Sequence, residues 1–435
     1  MSGLERSDRN NKKRSKYRMR PNGYVSVVWV MALAAVIGCG SGTPSQTAPL
    51  TGLSKRVLVT NQEASLVHFV DAKRDQLNVK TLSAPGAAKI VTANGKTVVL
   101  DSTVNALTVI DNATEAVTFT LNLDDLPVDV AITTDGATAF TAERNLGEIR
   151  FGTTADGNLS PQILHIPNAR RLVMSPNGSK LLVFSDPQTQ ANITSFFVID
   201  TASKGIIEIT SPSFDQPITA VFGTSDTQAF ILNCGAECGG TAASVVSVDF
   251  SGVFSNPATP ATIGTPIPVP AATAGLLNGS NLYVAGTPNP ALTGPGAACP
   301  LSRCGTLTTV NTSSLTASAP VPITDGLHEK MAFTNNRVYV GSSRCSVDPG
   351  STPNSVRGCL TIFNTSTSAT TFPEESSFRQ NFDVTDFQPI SNRNVIYVIQ
   401  AGELDIFDTT TDAIATNITQ IDIIGKAIGV VQIDP

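Results

Sequence analysis

Thr97–Gly136 reads TVVLDSTVNALTVIDNATEAVTFTLNLDDLPVDVAITTDG. Thr97–Asp101 and Ala106–Ile110 are short runs rich in β-branched and apolar residues. Val117, Phe119, Leu121 and Leu123 alternate with Thr118, Thr120 and Asn122, and Val128, Val130 and Ile132 alternate with Asp129, Ala131 and Thr133. A period of two in such residues is the signature of a strand, and nothing in the stretch has helical spacing. Two joints carry turn chemistry. Asp111-Asn112 can cap a turn through the side chain, and Asp135-Gly136 supplies the positive φ of a tight hairpin.

The same order returns along the chain. The Asx residue after the second strand recurs as Asp71, Asp111, Asp200, Asp249, Asn311, Asn364 and Asp408. The unit near residue 150 departs from it, with Gly152 and then Asp156-Gly157. The hairpin recurs as Asn94-Gly95, Asn177-Gly178 and Asn278-Gly279, with weaker versions at Ser225-Asp226, Asn335-Asn336 and Asn392-Arg393. A four-stranded unit repeated about every 40–50 residues predicts an all-β fold, a β-propeller of antiparallel blades, because one blade cannot bury both of its faces alone.

The repeats resemble those of the YVTN-repeat and lactonase-like propellers. Val57–Asn61 (VLVTN), Leu282–Gly286 (LYVAG) and Val338–Ser342 (VYVGS) carry the likeness, which covers roughly residues 55–435. The resemblance implies that the strand before each Asx-Gly hairpin is innermost. Such strands fall near Ile90, Val130, Leu172, Val221, Ala274, Ala332, Phe387 and Val430, which favours eight blades where the family form commonly has seven; an eroded unit or an insertion would still leave seven. The chain then begins at a second strand, and Ala427–Ile433 is an unpartnered first strand. Pairing the two closes the ring.

Ahead of the repeats lies a different kind of sequence. Residues 1–23 are basic, and Tyr24–Ile37 is apolar for about fourteen residues, too short for a comfortable span. The run ends in Val36-Ile37-Gly38-Cys39. A basic segment, a short apolar segment and a small residue at the cut predict a secretory signal. The ending resembles the bacterial lipobox, which implies signal residues 1–38 and a lipid on Cys39. Residues 39–54, rich in Gly, Ser, Thr and Pro, read as a flexible tether to a domain over 55–435. The expected address is the bacterial cell envelope, at the outer membrane.

Residues 1–38 hold eight basic and two acidic residues of the 29 and 35 in the chain, so the remainder carries 21 against 33, a net charge of −12. That disfavours nucleic acid, whose phosphates need neutralising. The lipid, not surface charge, then holds the protein at the membrane.

Six further cysteines fall in pairs, Cys234/Cys238, Cys299/Cys304 and Cys345/Cys359, each between the second and third strands of its unit. In an exported protein an even count predicts disulfides, and the positions favour three local bridges. No histidine lies near any pair, which argues against a metal site, and no cofactor is expected. Because strands alternate in direction, these loops share one face with the inter-blade loops that hold Pro85, Pro127, Pro167, Pro217 and Pro270. Long loops on a rigid scaffold are where binding usually lives.

No Gly-x-Ser-x-Gly, His-Glu-x-x-His or Walker spacing occurs, and no catalytic residue is assigned. Residues preceding innermost strands are the candidates for the channel mouth: His165, Arg170, Arg171, Asp215, His328, Glu329, Asp386 and Lys426. The favoured function is a membrane-anchored binding or scaffold module whose loop face takes a protein, glycan or small ligand. The alternatives are a hydrolase of lactone-like substrates in the channel and a subunit of an outer-membrane assembly complex.

Overall fold

Side-chain alternation along each strand builds this molecule. Val57 and Val59 pack to one side of their blade, in one apolar cluster, while Leu58 between them packs to the other side, in the next. The computed structural model describes residues 50–190, 192–288, 304–346, 358–373 and 383–434. The expected signal, Cys39 and the tether up to residue 49 lie outside the described residues.

Eight antiparallel blades form a ring, a β-propeller with almost no helix. We number the blades by the chain order of their second strands. The innermost strands of blades 2 to 8 are Ala87–Ala93, Asp129–Ile132, Ala169–Met174, Pro217–Phe222, Ala274–Asn278, Leu327–Thr334 and Val384–Pro389. Blade 1 takes its innermost strand, Ala427–Gln432, from the other end of the chain. All eight expected first strands are present. In blades 5, 6 and 8 the outer strand is split into two short pieces that pair the same third strand. Each of the eight apolar clusters is shared by two adjacent blades, so the core is divided around the ring. Burying one Val, Leu or Phe contributes about 1.5–3 kcal/mol, and only a neighbour can supply that burial.

Turn chemistry matches the repeat. Asn94 and Gly95 have φ of 42° and 78°, and even Asn335 and Asn336, without glycine, hold 46° and 58°. The Asx carboxylates and amides cap their turns, as Asp111 Oδ1 does for Thr114 N–H at 2.8 Å and Asp200 Oδ1 for Ser203 N–H at 2.8 Å.

A buried polar residue ends most second strands and secures the loop that enters its blade. Asn61 donates to Ile424 O at 2.8 Å and accepts from Lys426 N–H at 3.1 Å. Glu143 accepts from Asp125 N–H at 2.9 Å, and Asn233 donates to Ser213 O at 3.0 Å. In blade 6 this position is Gly286.

The ring closes where the ends meet. Val57, Leu58, Val59 and Thr60 pair with Gln432, Val431, Val430 and Gly429. Arg56 grips Asp434 through Nη2 at 2.6 Å and Nε at 2.8 Å, and its Nη1 reaches Glu115 at 3.1 Å. Glu115 also accepts from Thr51 N–H at 2.6 Å.

Two bridges are formed within single loops, Cys234–Cys238 and Cys345–Cys359, with Cα separations of 5.6 and 5.5 Å. Cys304 is also disulfide-bonded, while Cys299 lies outside the described residues.

Candidate functional site

A bulge at the start of each innermost strand shapes the channel mouth. Pairing with the second strand skips Ala88, Arg170, Ile218, Glu329, Thr385 and Ile428 in six blades. In blades 3 and 6, Val128 and Thr273 share their partner with Asp129 and Ala274. A bulge leaves one residue unpaired and re-aims its side chain. All eight of these residues line one of two cavities at the mouth, on the face of the disulfide loops and inter-blade loops.

Arg171 Nη2 reaches Glu329 Oε1 at 3.3 Å, and Arg170 Nη2 lies 3.8 Å from the same atom. These residues stand on blades 4 and 7, which are not neighbours, so the ion pair crosses the mouth. All three side chains belong to the walls of both cavities. Arg170 is further held by Asp186 at 3.2 Å, and Arg144 meets Asp186 at 2.7 Å. Burial pushes the Asp186 carboxyl up, but the Gln188 N–H and the two arginines outweigh it and hold the group below the usual range.

The larger cavity, about 350 Å³, contains the charged residues of blades 2, 3 and 7. Lys89 pairs with Asp129, which accepts from Leu172 N–H in the next blade at 2.8 Å. Lys330 and Asp386 repeat the motif at 3.0 Å, with Val430 N–H as the third partner at 3.0 Å. Desolvation lowers the Lys89 pKa, and Lys330 and Arg171 add to that against the pull of Asp129. These acids and bases satisfy one another and tie three successive blades together.

The smaller cavity, about 240 Å³, is built differently. Its walls include Ile218, Leu327 and Pro187, the arginines 170, 171 and 344, and Glu237 and His328. Glu237 belongs to the short 3-10 turn Gly235–Cys238 inside the first disulfide loop. Its Oε2 accepts from Thr287 N–H at 3.0 Å. A Cβ on Gly286 would stand 3.0 Å from that oxygen and 2.7 Å from Ala271 Cβ, so the glycine is what admits the carboxylate. Burial pushes Glu237 up to about 7, against the Thr287 hydrogen bond. His328 is fully buried, with Nε2 at 2.9 Å from Thr324 O. A carbonyl only accepts, so Nε2 carries the proton and Nδ1 is a bare acceptor, which has no partner. Burial holds this imidazole down to about 4.

Among the sequence candidates, Arg170, Arg171, His328 and Glu329 come together at the smaller cavity, and Asp386 stands beside the larger one. His165 lies elsewhere. It sits on the outermost strand of blade 3, 74% exposed and 3.9 Å from Glu148. Asp215 accepts from Thr241 and Ala242 N–H at 2.7 Å each, and so clamps the first disulfide loop from outside. Lys426 is exposed before the closing strand and lines neither cavity. The sequence reading missed Glu237, Arg344, Lys89 and Asp129. The first two had a signal, since Glu237 lies between Cys234 and Cys238 and Arg344 precedes Cys345. Among the described residues no group of three or more His, Cys, Asp or Glu could hold a metal ion. No helix among them is long and apolar enough to cross a membrane.

This architecture places the chain in the class of β-propellers. No family model matches the sequence, and no curated protein matches it. Solved structures do. A dihydro-heme d1 dehydrogenase in complex with DHE superposes with a TM-score of 0.61 at 10% identity, covering 86% of this chain and 74% of that one. The hydrazine synthase of Kuenenia stuttgartiensis gives 0.53 at 13% identity, covering 75% and 97%. The Cps50 (Swd1) β-propeller domain of Myceliophteria thermophila gives 0.50 at 10%, covering 76% and 98%. At such identities the likeness concerns the fold alone.

Proposed function

We propose that this protein is an exported, lipid-anchored β-propeller, akin to the YVTN-repeat and lactonase-like proteins, that binds a small ligand in the smaller mouth cavity. One observation carries the reading. Both described disulfide loops deliver a residue to that cavity: Glu237 and Cys238 from one, and Arg344, next to Cys345, from the other. Rigid loops lose less freedom on binding, which favours affinity. The anchor would be Cys39, placing the loops in the cell envelope beside its metabolites, glycans and proteins.

Two measurements test the reading. Cys39→Ala is expected to abolish lipid labelling and release the protein from membranes; a processed, lipid-labelled variant would contradict the anchor. Small-molecule fractions of envelope extracts are expected to raise the melting temperature of the wild type and not of Arg344→Ala. Equal shifts in both proteins would remove the cavity from the binding site.

A further inference from the structure

We infer that the smaller cavity takes a small carboxylic acid bearing an amino or hydroxyl group next to an aliphatic side chain; the inference rests on reading this cavity as the ligand site. Four features define that chemistry. The first is charge: the chain beyond residue 38 carries a net −12, yet Arg170, Arg171 and Arg344 line this one cavity. Arginine forks hold carboxylates through paired hydrogen bonds.

Second, the protein's own carboxylate facing the blade 4 arginines is loosely held. Glu329 is 41% exposed and stands 3.3 and 3.8 Å from its two arginines. Such a pair is worth little in water, so a ligand carboxylate can take its place at small cost.

Third, the site has a carboxylate oxygen without a donor among the described residues. Glu237 Oε2 is engaged by Thr287, but no hydrogen bond reaches Oε1 among the described residues. A ligand that brings N–H or O–H groups can donate to this oxygen, and hydrogen bonds to a charged group are among the stronger ones. Glu237 also opposes a dianion such as phosphate, which the arginines alone would welcome. Fourth, Ile218, Leu327 and Pro187 supply an apolar wall suited to an aliphatic substituent, within a volume of about 240 Å³.

Calorimetric titration of the disulfide-bonded protein at pH 8 tests this with four probes: L-leucine, its 2-hydroxy analogue, 4-methylpentanoate, which lacks the donor, and isoamylamine, which lacks the carboxylate. Leucine and the hydroxy acid are expected to bind. Loss of the donor is expected to weaken binding about tenfold, and the amine is expected not to bind where leucine saturates. Arg344→Ala should weaken every acid. Glu237→Gln keeps an acceptor for Thr287 and should weaken leucine more than the hydroxy acid. Glu237 is pushed up to about 7; the charged groups lining the cavity with it are Arg170, Arg171, Arg344 and Glu329, and His328, held to about 4, stays neutral near pH 7. Leucine, with its ammonium, should therefore bind more tightly at pH 8 than at pH 6, while the hydroxy acid should not gain.

Amine binding equal to that of leucine, or leucine binding unchanged in both variants, would overturn the inference. If a neutral or cationic compound stabilises the wild type but not Arg344→Ala, the ligand class is wrong and the site stands. If no compound separates the wild type from the two variants, the site reading falls as well.

Discussion

The seam in blade 1 and the disulfide loops of blades 5 and 7 close the chain in opposite ways. At the seam, backbone pairing joins Val57 to Gln432 across almost the whole sequence, without a covalent bond. The described disulfides close sequence separations of only 4 and 14 residues. Loop-closure entropy grows with the length closed. The strongest covalent fasteners therefore stand where the fold gains least from them, and the longest closure relies on hydrogen bonds, apolar packing and the Arg56–Asp434 pair. The difference teaches that the bridges serve the shape of the loop face rather than the ring.

Deleting residues 427–435 is the strongest challenge to that comparison. It removes the innermost strand of blade 1 and exposes Val57, Val59 and Ile399 in the cluster between blades 8 and 1. Loss of cooperative thermal unfolding is expected by calorimetry, and an unchanged melting temperature would break the argument. Asp386→Ala attacks the seam more gently, leaving Lys330 and the Val430 N–H without their partner. A loss of about 2 kcal/mol is expected in denaturant titrations.

Replacing Cys234 and Cys238, or Cys345 and Cys359, by serine sharpens the other side. Each double variant should lose about 2 kcal/mol or less, the low end for a disulfide, and should lose ligand-induced stabilisation more clearly. A stability loss larger than that of Asp386→Ala would reverse the comparison.

The smallest expected effect is one of pH. Burial raises Asp101, Glu143 and Glu237 each to about 7. A raised carboxyl holds its proton more tightly when folded, so its contribution is full below the unfolded value near 4 and is lost as pH rises through about 7. The melting temperature should therefore fall between pH 5 and pH 8. Asp101→Asn, in a blade next to the seam, and Glu237→Gln, in a disulfide loop, should each flatten part of that slope. An unaltered slope in both variants would show that these carboxyls do not titrate in this window.

Much of this architecture was legible because a propeller is written locally. Strand alternation, the Asn94-Gly95 type of hairpin and the Asp111 type of turn each depend on a few neighbouring residues. The closing strand was legible for a related reason: Ala427–Ile433 has the pattern of a first strand, and the repeats open at Val57–Asn61 on a second strand that needs one. The candidate site was legible only in part. His165 and His328 both precede or open expected strands, yet one lies on a blade's outer edge and the other is sealed at the mouth.

The sequence by itself determined the four-stranded repeat, its strand order, the closing partner and the face that bears the cysteine loops, because period and turn chemistry are short-range properties; it favoured eight blades over seven, and the structure decided for eight. Only the tertiary structure decided which side chains meet at the mouth. Arg171 and Glu329 are 158 residues apart and touch because the ring brings blades 4 and 7 within reach across the channel. Glu237 lies beside the Thr287 N–H because Gly286, at a position polar in most other blades, leaves room for it. Local patterning specifies each blade. The angle between blades, fixed by packing all eight into one closed ring, specifies the site.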